Sequence, residues 1–309
     1  MQNNLLKYKT SQKIKSHLNY IGGKYRLLSQ ILPLFPRQID DFVDLFCGGC
    51  NVGINVEANK IFFNDNLIYL VEMYKEFQEK SLDEVIWHIE ERIDDFQLSD
   101  ENEIGYKELR NLYNQEKNPL DLFVLLAFSF NHQIRFNNSH EFNNPFGRER
   151  SSFNSAMRQN LVEFVIGIKE KDVRFSNENF TDFDFSDFGN NDFVYCDPPY
   201  LISCGTYNDG KRGFNGWSAK EEMQLLTLLD NLDEQNIKFA LSNVLKHKGN
   251  ENSILKNWLN ENPNYKINYL NFDYSNCNYQ VKDKKESVEV LITNYLPPQK
   301  KVFQGSLFL

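Results

Sequence analysis

No stretch of this 309-residue chain approaches the ~20 consecutive apolar residues of a bilayer-crossing helix. The N-terminal run MQNNLLKYKTSQKIK also lacks the apolar core of a secretory signal. No membrane partner and a cytoplasmic location are therefore the expectation. Cysteine is scarce: five residues, an odd number without framework spacing, exclude a disulfide scaffold and suit a reducing compartment. Cys47-Gly48-Gly49-Cys50 is a lone CxxC with no second pair and no nearby histidine cluster, so small buried thiols are expected there and no metal. Net positive charge is missing too; a balance of −9 argues against a nonspecific nucleic-acid coat. Internal repeats and low-complexity tracts are also absent.

What is present is uneven. Every charged residue from Lys7 to Arg37 is basic, including Lys13, Lys15, Lys24 and Arg26, and Arg135, Arg148, Arg150 and Arg158 sit among asparagines and aromatics. Because screening confines charge competition to near neighbours, such local surfaces can bind phosphate on an acidic protein; solvated surface is the alternative. At 41% hydrophobic and 25% charged, the chain can build one large domain or a core domain with a smaller companion.

Short apolar runs read as buried strands: Phe42–Phe46, Lys60–Asn64, Val173–Phe175, Phe193–Cys196, Lys238–Ser242, Tyr265–Phe272 and Val288–Thr293. Helical periodicity lies between them, at Ser218–Leu232 and Ile254–Leu259. It also fills the stretch from about Leu67 to Leu126, where Leu82, Val85, Ile86, Ile89 and Ile93 keep a 3.6-residue period. Alternating strands and helices predict an α/β fold with a mostly parallel sheet. Residues 1–70 and 171–295 are expected to form it, with 71–170 inserted as a mainly helical domain and 296–309 as a tail. Residues 131–155, polar and rich in asparagine and arginine, are too long for a plain connector.

Ligands of open α/β sheets sit at the carboxyl ends of strands. Gly48 and Gly49 follow the first strand, where backbone can approach a ligand closely. Asp65, after the second, is spaced to bind ribose hydroxyls. A dinucleotide oxidoreductase fits that much. However, Asp44, before the glycines, would repel a pyrophosphate and suits a cation; S-adenosylmethionine carries a sulfonium and an ammonium. Asp197-Pro198-Pro199-Tyr200 ends a buried strand with a carboxylate, a backbone carbonyl fixed by a proline ring and a flat aromatic face. Two acceptors converging on one amino group localise its lone pair for methylation. The expected target is an NH2 on a planar ring, reached by base flipping. A proline-capped loop is the bland alternative.

On these residues the chain resembles the Dam-type (alpha-class) DNA adenine methyltransferases, ordered as glycine loop, recognition insert, DPPY. Asn19-Tyr20-Ile21-Gly22-Gly23-Lys24 is similar to their aromatic–GGK motif, DLFCGG to their FxGxG loop and DPPY to their catalytic motif, over roughly Leu18 to Asn294. The resemblance implies a Rossmann-like S-adenosylmethionine-dependent methyltransferase domain with a mixed sheet. It also implies cofactor contacts from Tyr20, Lys24, Asp44, Gly48, Gly49, Asp65 and Phe180, and a catalytic set of Asp197, Pro198 and Tyr200. In the insert it implies DNA contacts: Phe130 as a wedge, Asn131 on phosphate, Arg135 on a guanine edge, Pro145 on a thymine methyl, with Asn137 and Arg148 nearby. Phe130 could instead be core. Asn19 stands where members reading a leading guanine often carry a basic residue, so the first base of the site is open and GATC is a guess.

Double-stranded DNA is the expected partner, and a monomer or weak dimer the expected state. Rival readings are an RNA-base or protein-glutamine methyltransferase and a noncatalytic DNA-binding protein of methyltransferase fold. Glutamine-modifying relatives usually carry Asn in place of Asp197, and an intact DPPY weighs against a noncatalytic protein. The tail's Gln304, Leu307 and Phe308 resemble the short peptides that bind bacterial sliding clamps, with Gly305 in place of the usual leucine; folding back onto the protein's own surface is the alternative.

Overall fold

The computed structural model describes residues 13–202, 217–271 and 287–298. The clamp-like residues Gln304, Leu307 and Phe308 lie outside them, as do Lys7 and Lys9. After a short N-terminal helix, α1 (Leu28–Ile31), the chain enters β1 (Asp41–Asp44) and β2 (Lys60–Asn64). Five helices follow: α2 (Ile68–Glu79), α3 (Leu82–Asp95), α4 (Glu103–Glu116), α5 (Pro119–Phe128) and α6 (Ser155–Glu170). The chain then returns through β3 (Val173–Ser176), β4 (Phe193–Cys196), α7 (Ala219–Glu234), β5 (Lys238–His247), β6 (Asn250–Glu251), α8 (Ser253–Glu261), β7 (Lys266–Leu270) and β8 (Val288–Thr293).

All four residues of β4 are buried, as its apolar run requires. The sheet order is β3-β2-β1-β4-β5-β8-β7, with β6 paired to the end of β5. Strands β3, β2, β1, β4 and β5 run parallel, while β8 runs antiparallel to both β5 and β7. The sheet is therefore mixed. Chain order reverses between β1 and β4, and at such a switch point the loops leaving the two strands part to open a crevice. Register places Asp44 beside Tyr195, two residues before Asp197.

Several elements differ from the sequence expectation, among them β7, which spans Lys266–Leu270 within the expected Tyr265–Phe272, and β6, which was not expected. The β1 ladder stops at Asp44, not Phe46, although the Leu45 N–H still donates to Tyr195 at 3.0 Å. Strand β5 continues past Ser242 to His247, because its polar residues find partners: Ser242 meets the Tyr195 hydroxyl at 2.9 Å and Asn243 donates to Glu222 at 3.1 Å. Helix α6 was not anticipated. Asn154 caps it by accepting from Met157 N–H at 2.9 Å, and Leu161, Phe164, Val165 and Ile168 form its buried face.

Helix α5 is buried all round, including Asp121, whose Oδ1 meets His88 Nε2 at 2.7 Å and Arg92 Nε at 2.9 Å from α3. Two residues pin the N-terminal segment to the glycine loop. Asn55 exchanges hydrogen bonds with the backbone of Ile14, and the Asn51 side chain accepts from Ser16 N–H at 3.0 Å. Next in the chain, His17 sits inside a cage of Tyr74, Phe77, Phe123 and Phe164, with ring centroids 4.4–5.7 Å away. Burial pushes its pKa down to about 3. The unfolded chain thus binds a proton that the fold refuses between about pH 6.5 and 3, so His17 withdraws stability as pH falls through that window. His17→Leu should flatten the dependence of Tm on pH between 7 and 5. An unchanged slope in calorimetric scans would place the acid sensitivity elsewhere.

Candidate active site

The loop after β1 turns sharply because Gly48 takes φ +44°, which L side chains rarely adopt, and a Cβ there would meet the Tyr20 ring at 2.7 Å. The Tyr20 ring therefore lies against the glycine. Gly48 N–H donates to Asp65 Oδ2 at 3.0 Å, and its carbonyl accepts from the Tyr74 hydroxyl at 2.6 Å. Asp65 Oδ1 accepts from Leu67 N–H at 2.9 Å. Asp65 Oδ2 thus holds the glycine loop and Oδ1 its own turn, yet each keeps a lone pair for a ligand hydroxyl.

Asp44 is 2% exposed and accepts from Gly53 N–H at 3.0 Å. Burial, with Asp197 and Asp65 adding repulsion, pushes its pKa up to about 8 against the pull of that hydrogen bond. A buried carboxyl in this condition is stabilised as an anion by a cation brought to it. Asp65 is also shifted up, chiefly by burial. The two cysteines of the loop are buried, and burial raises both thiol pKa values, which keeps them protonated and unreactive. Among the described residues, no group of three His, Cys, Asp or Glu side chains is placed to hold a metal ion.

Beside the loop, Phe46, Phe180 and Trp217 form an aromatic cluster with centroids 5.4–5.7 Å apart. The Trp217 indole N–H is fixed by Glu222 Oε2 at 2.7 Å, and Glu222 is itself fully buried on α7. Only Phe180 of this cluster was expected; Trp217 could be found from the sequence only by knowing that the start of α7 packs over the β1 loop.

Across the crevice, Asp197 Oδ1 accepts from Lys24 Nζ at 2.8 Å and from the Tyr200 hydroxyl at 3.1 Å. Among the described residues both contacts fall on Oδ1, which leaves Oδ2 for another donor. Lys24, expected to line the cofactor pocket, lines this cleft with its ammonium turned to the DPPY residues. It also accepts the pull of Glu289 at 3.7 Å, donates to Gly22 carbonyl at 2.8 Å and lies 4.9 Å from the Tyr200 ring centroid. Burial raises the Asp197 pKa, and Lys24 opposes that rise. Glu289, on β8, was not anticipated.

Tyr20, Lys24, Asp44, Gly48, Gly49, Asp65, Phe180, Asp197, Pro198 and Tyr200 all line one cleft of about 890 Å³. The expected DNA-contacting residues do not; they occupy the segment after α5. There an irregular hairpin is closed by bridges between Ser129 and Phe146 and between Phe136 and Phe142. Phe130 is 42% exposed, with the Arg150 guanidinium 5.6 Å from its ring centre, and its N–H donates to Pro145 carbonyl at 2.7 Å. Asn131 adopts φ +55° and its carbonyl accepts from Asn19 Nδ2 at 3.0 Å, which ties the hairpin base to the cleft's N-terminal rim. Arg135 is half-buried and Pro145 exposed. The Asn137 amide is engaged inside its own turn, donating to Glu141 Oε2 and accepting from Ser139 and Glu141 N–H. Arg148 is exposed and 2.7 Å from Glu103, a surface pair that a phosphate could displace.

A mixed sheet with acids at the ends of its parallel strands β1 and β2, an aromatic slot beside them and a DPPY turn across the switch point defines a methyltransferase-type α/β protein. The chain belongs to the D12 class N6 adenine-specific DNA methyltransferases, whose family pattern matches residues 20–297. It is 53% identical to the type II methyltransferase M.FokI of Planomicrobium okeanokoites over 289 residues, covering 94% of this chain and 44% of that protein. It is 52% identical to the modification methylase StsI of Streptococcus sanguinis over 293 residues, covering 95% and 45% respectively. The DNA adenine methylase of Escherichia coli strain K12 is 26% identical over 237 residues, covering 75% and 81%. The chain thus spans less than half the length of the first two relatives. The family acts with a methyl donor on DNA.

Proposed function

We propose that this chain transfers a methyl group from S-adenosylmethionine to the 6-amino group of an adenine flipped out of a short duplex site. The observation that carries it is the cleft itself, in which an acidic loop and the DPPY turn face one space across the switch point. The lining suits the donor's chemistry. Asp44 would take the methionine ammonium, Asp65 the ribose hydroxyls, and the slot of Phe46, Phe180 and Trp217 the purine, with Tyr20 packed over Gly48 as one wall. When bound, the donor supplies an activated methyl on a sulfonium that leaves as a neutral thioether.

Asp197 Oδ2 and the Pro198 carbonyl would accept from the adenine amino group, and the Tyr200 ring would stack on the flipped base. These acceptors are set in advance by the proline turn and by Lys24, which is where such sites gain their rate. In the hairpin, Phe130 would fill the vacated stack, Asn131 and Arg148 would meet phosphate, and Arg135 and Pro145 would read base edges. Asn137 is better accounted for as the hairpin's turn residue. The names of the two larger relatives support a role as the protective half of a restriction–modification system.

The ammonium assignment has a calorimetric consequence. Because a bound cation favours ionised Asp44, binding should expel a proton wherever Asp44 starts protonated, below about pH 8. Titrations at pH 7 in buffers of different ionisation enthalpy should report release of up to about one proton per cofactor. Adenosine, which has no ammonium, should release none. Equal release by both ligands would remove Asp44 from the role.

Recognition is separable from chemistry. Arg135→Ala should relax discrimination at one guanine by about 1–3 kcal/mol. Loss of Lys13 or Lys15, both exposed, should instead weaken all duplexes alike and flatten the salt dependence. Unaltered site preference in Arg135→Ala would move base reading elsewhere in the hairpin. The function as a whole is tested by offering tritiated cofactor with duplex DNA, RNA and glutamine-bearing peptide in parallel. Label confined to duplex DNA supports it; label only on RNA or peptide overturns it.

A further inference from the structure

Glu289 lies on β8, the antiparallel strand slotted between β5 and β7, opposite Val244 on one side and Leu270 on the other. Its carboxyl reaches back over the DPPY turn. The Tyr200 hydroxyl lies 3.1 Å from Asp197 Oδ1 and 3.2 Å from Glu289 Oε1. That hydroxyl has one proton and two carboxylate acceptors. The side chains of Asp197 and Glu289 are 18% and 12% exposed, and Lys24 serves both. Among the described residues one cation serves two nearly buried carboxyls, a costly arrangement if the only task is to hold the Tyr200 ring, for which a single acceptor is enough.

Methyl transfer gives the second carboxyl a task, on the reading of the reaction proposed above. As the N–C bond forms and the C–S bond breaks, the positive charge passes from the donor to the adenine amino nitrogen. That nitrogen then carries the methyl and two protons, one of which must leave. Asp197 is the nearest acceptor, but once protonated it can no longer serve as one.

We propose that Glu289 is a positioning residue that drains this proton from Asp197 through the Tyr200 hydroxyl. Asp197 takes the amino proton on Oδ2, and its carboxyl turns about the Cβ–Cγ bond to bring that proton to the Tyr200 hydroxyl; the hydroxyl gives its own proton to Glu289 Oε1 and receives the one on Asp197. Asp197 ends ionised, Tyr200 unchanged and Glu289 neutral, one proton having moved in all. Solvent then takes the proton from Glu289. Among the described residues, the charged and titratable groups that face Glu289 are Lys24 from the N-terminal segment, Asp197 and Tyr200 from the turn, and Tyr195 from β4. Burial, with the Asp197 charge, holds the Glu289 carboxyl above the ordinary glutamate range, against the pull of Lys24. It is a ready acceptor.

Glu289→Gln keeps an oxygen for the Tyr200 hydroxyl but cannot take a proton. With melting and cofactor binding as in wild type, its single-turnover rate should fall at least about tenfold. The acid limb of its pH profile should move to lower pH, because Asp197 then has Lys24 to itself. In a Tyr200→Phe background, where the relay is already cut, Glu289→Gln should cost nothing further. A readout independent of turnover is carboxyl NMR of 13C-glutamate-labelled free protein. The resonance lost in Glu289→Gln, or displaced in Glu289→Asp should the glutamine variant not fold, should titrate above the exposed glutamates. A wild-type rate and limb in Glu289→Gln, an equal penalty in both backgrounds, or a Glu289 that titrates with the exposed glutamates each overturns the relay. Wild-type protein that methylates no adenine overturns the functional reading and the relay together, so the two failures are distinguishable.

Discussion

Asp197→Asn is expected to lower single-turnover methyl transfer by on the order of a hundred- to a thousandfold while cofactor affinity stays as in wild type. The substitution preserves shape, so the loss isolates one preorganised acceptor. Oδ1 already meets Lys24 and Tyr200, which leaves Oδ2 for the substrate amino group. An amide in its place either turns a donor toward that amino group or toward the Lys24 ammonium, and neither geometry holds the lone pair in line. Rapid-quench kinetics beside isothermal titration with cofactor separates the two quantities. Near-normal turnover would mean that Asp197 does not act on the amine. An equal loss in cofactor affinity would place it in the donor pocket.

Lys24→Met should produce the second large effect, and its sign is opposite to that of Glu289→Gln. Lys24 is the main influence holding the Asp197 pKa down against burial, so without it both Asp197 and Glu289 rise further. The acid limb of activity should move to higher pH, the opposite of its shift in Glu289→Gln. Removing one partner of a buried pair typically costs about 3–5 kcal/mol. The folded variant would bind protons that the unfolded chain releases, so its stability deficit should grow as pH rises. Denaturant melts at pH 5.5 and pH 8 check this: a larger deficit at the higher pH is expected, and a larger deficit at the lower pH would contradict the charge arrangement.

The strand ends were legible because their signals are local. A buried apolar run that carries Asp44 into a pair of glycines, or that stops on Asp197 before two prolines, states its own position in a sheet, and Asp65 follows by spacing. What joins these ends is not local. The bond from Lys24 to Asp197 links the N-terminal segment to the turn after β4 and exists only because the sheet order brings β1 beside β4. Glu289 was hidden for a related reason: in Val288–Thr293 it reads as the polar residue of an alternating strand, and only the insertion of β8 between β5 and β7 aims it at Tyr200. Helix α6 was lost behind the polar run of residues 131–155, although Asn154 and its apolar period were in plain view. In the hairpin, residue type alone could not separate an asparagine that holds a turn, Asn137, from one whose carbonyl ties down the hairpin base, Asn131.

The most direct measurement is nucleoside mass spectrometry of duplex DNA after incubation with the protein and deuterated-methyl S-adenosylmethionine, Asp197→Asn serving as the control. N6-methyldeoxyadenosine carrying the label, at a single sequence context and nearly absent with the variant, is the expected product. Label on the cytosine amino group, or none on DNA at all, would contradict the assignment of the cleft.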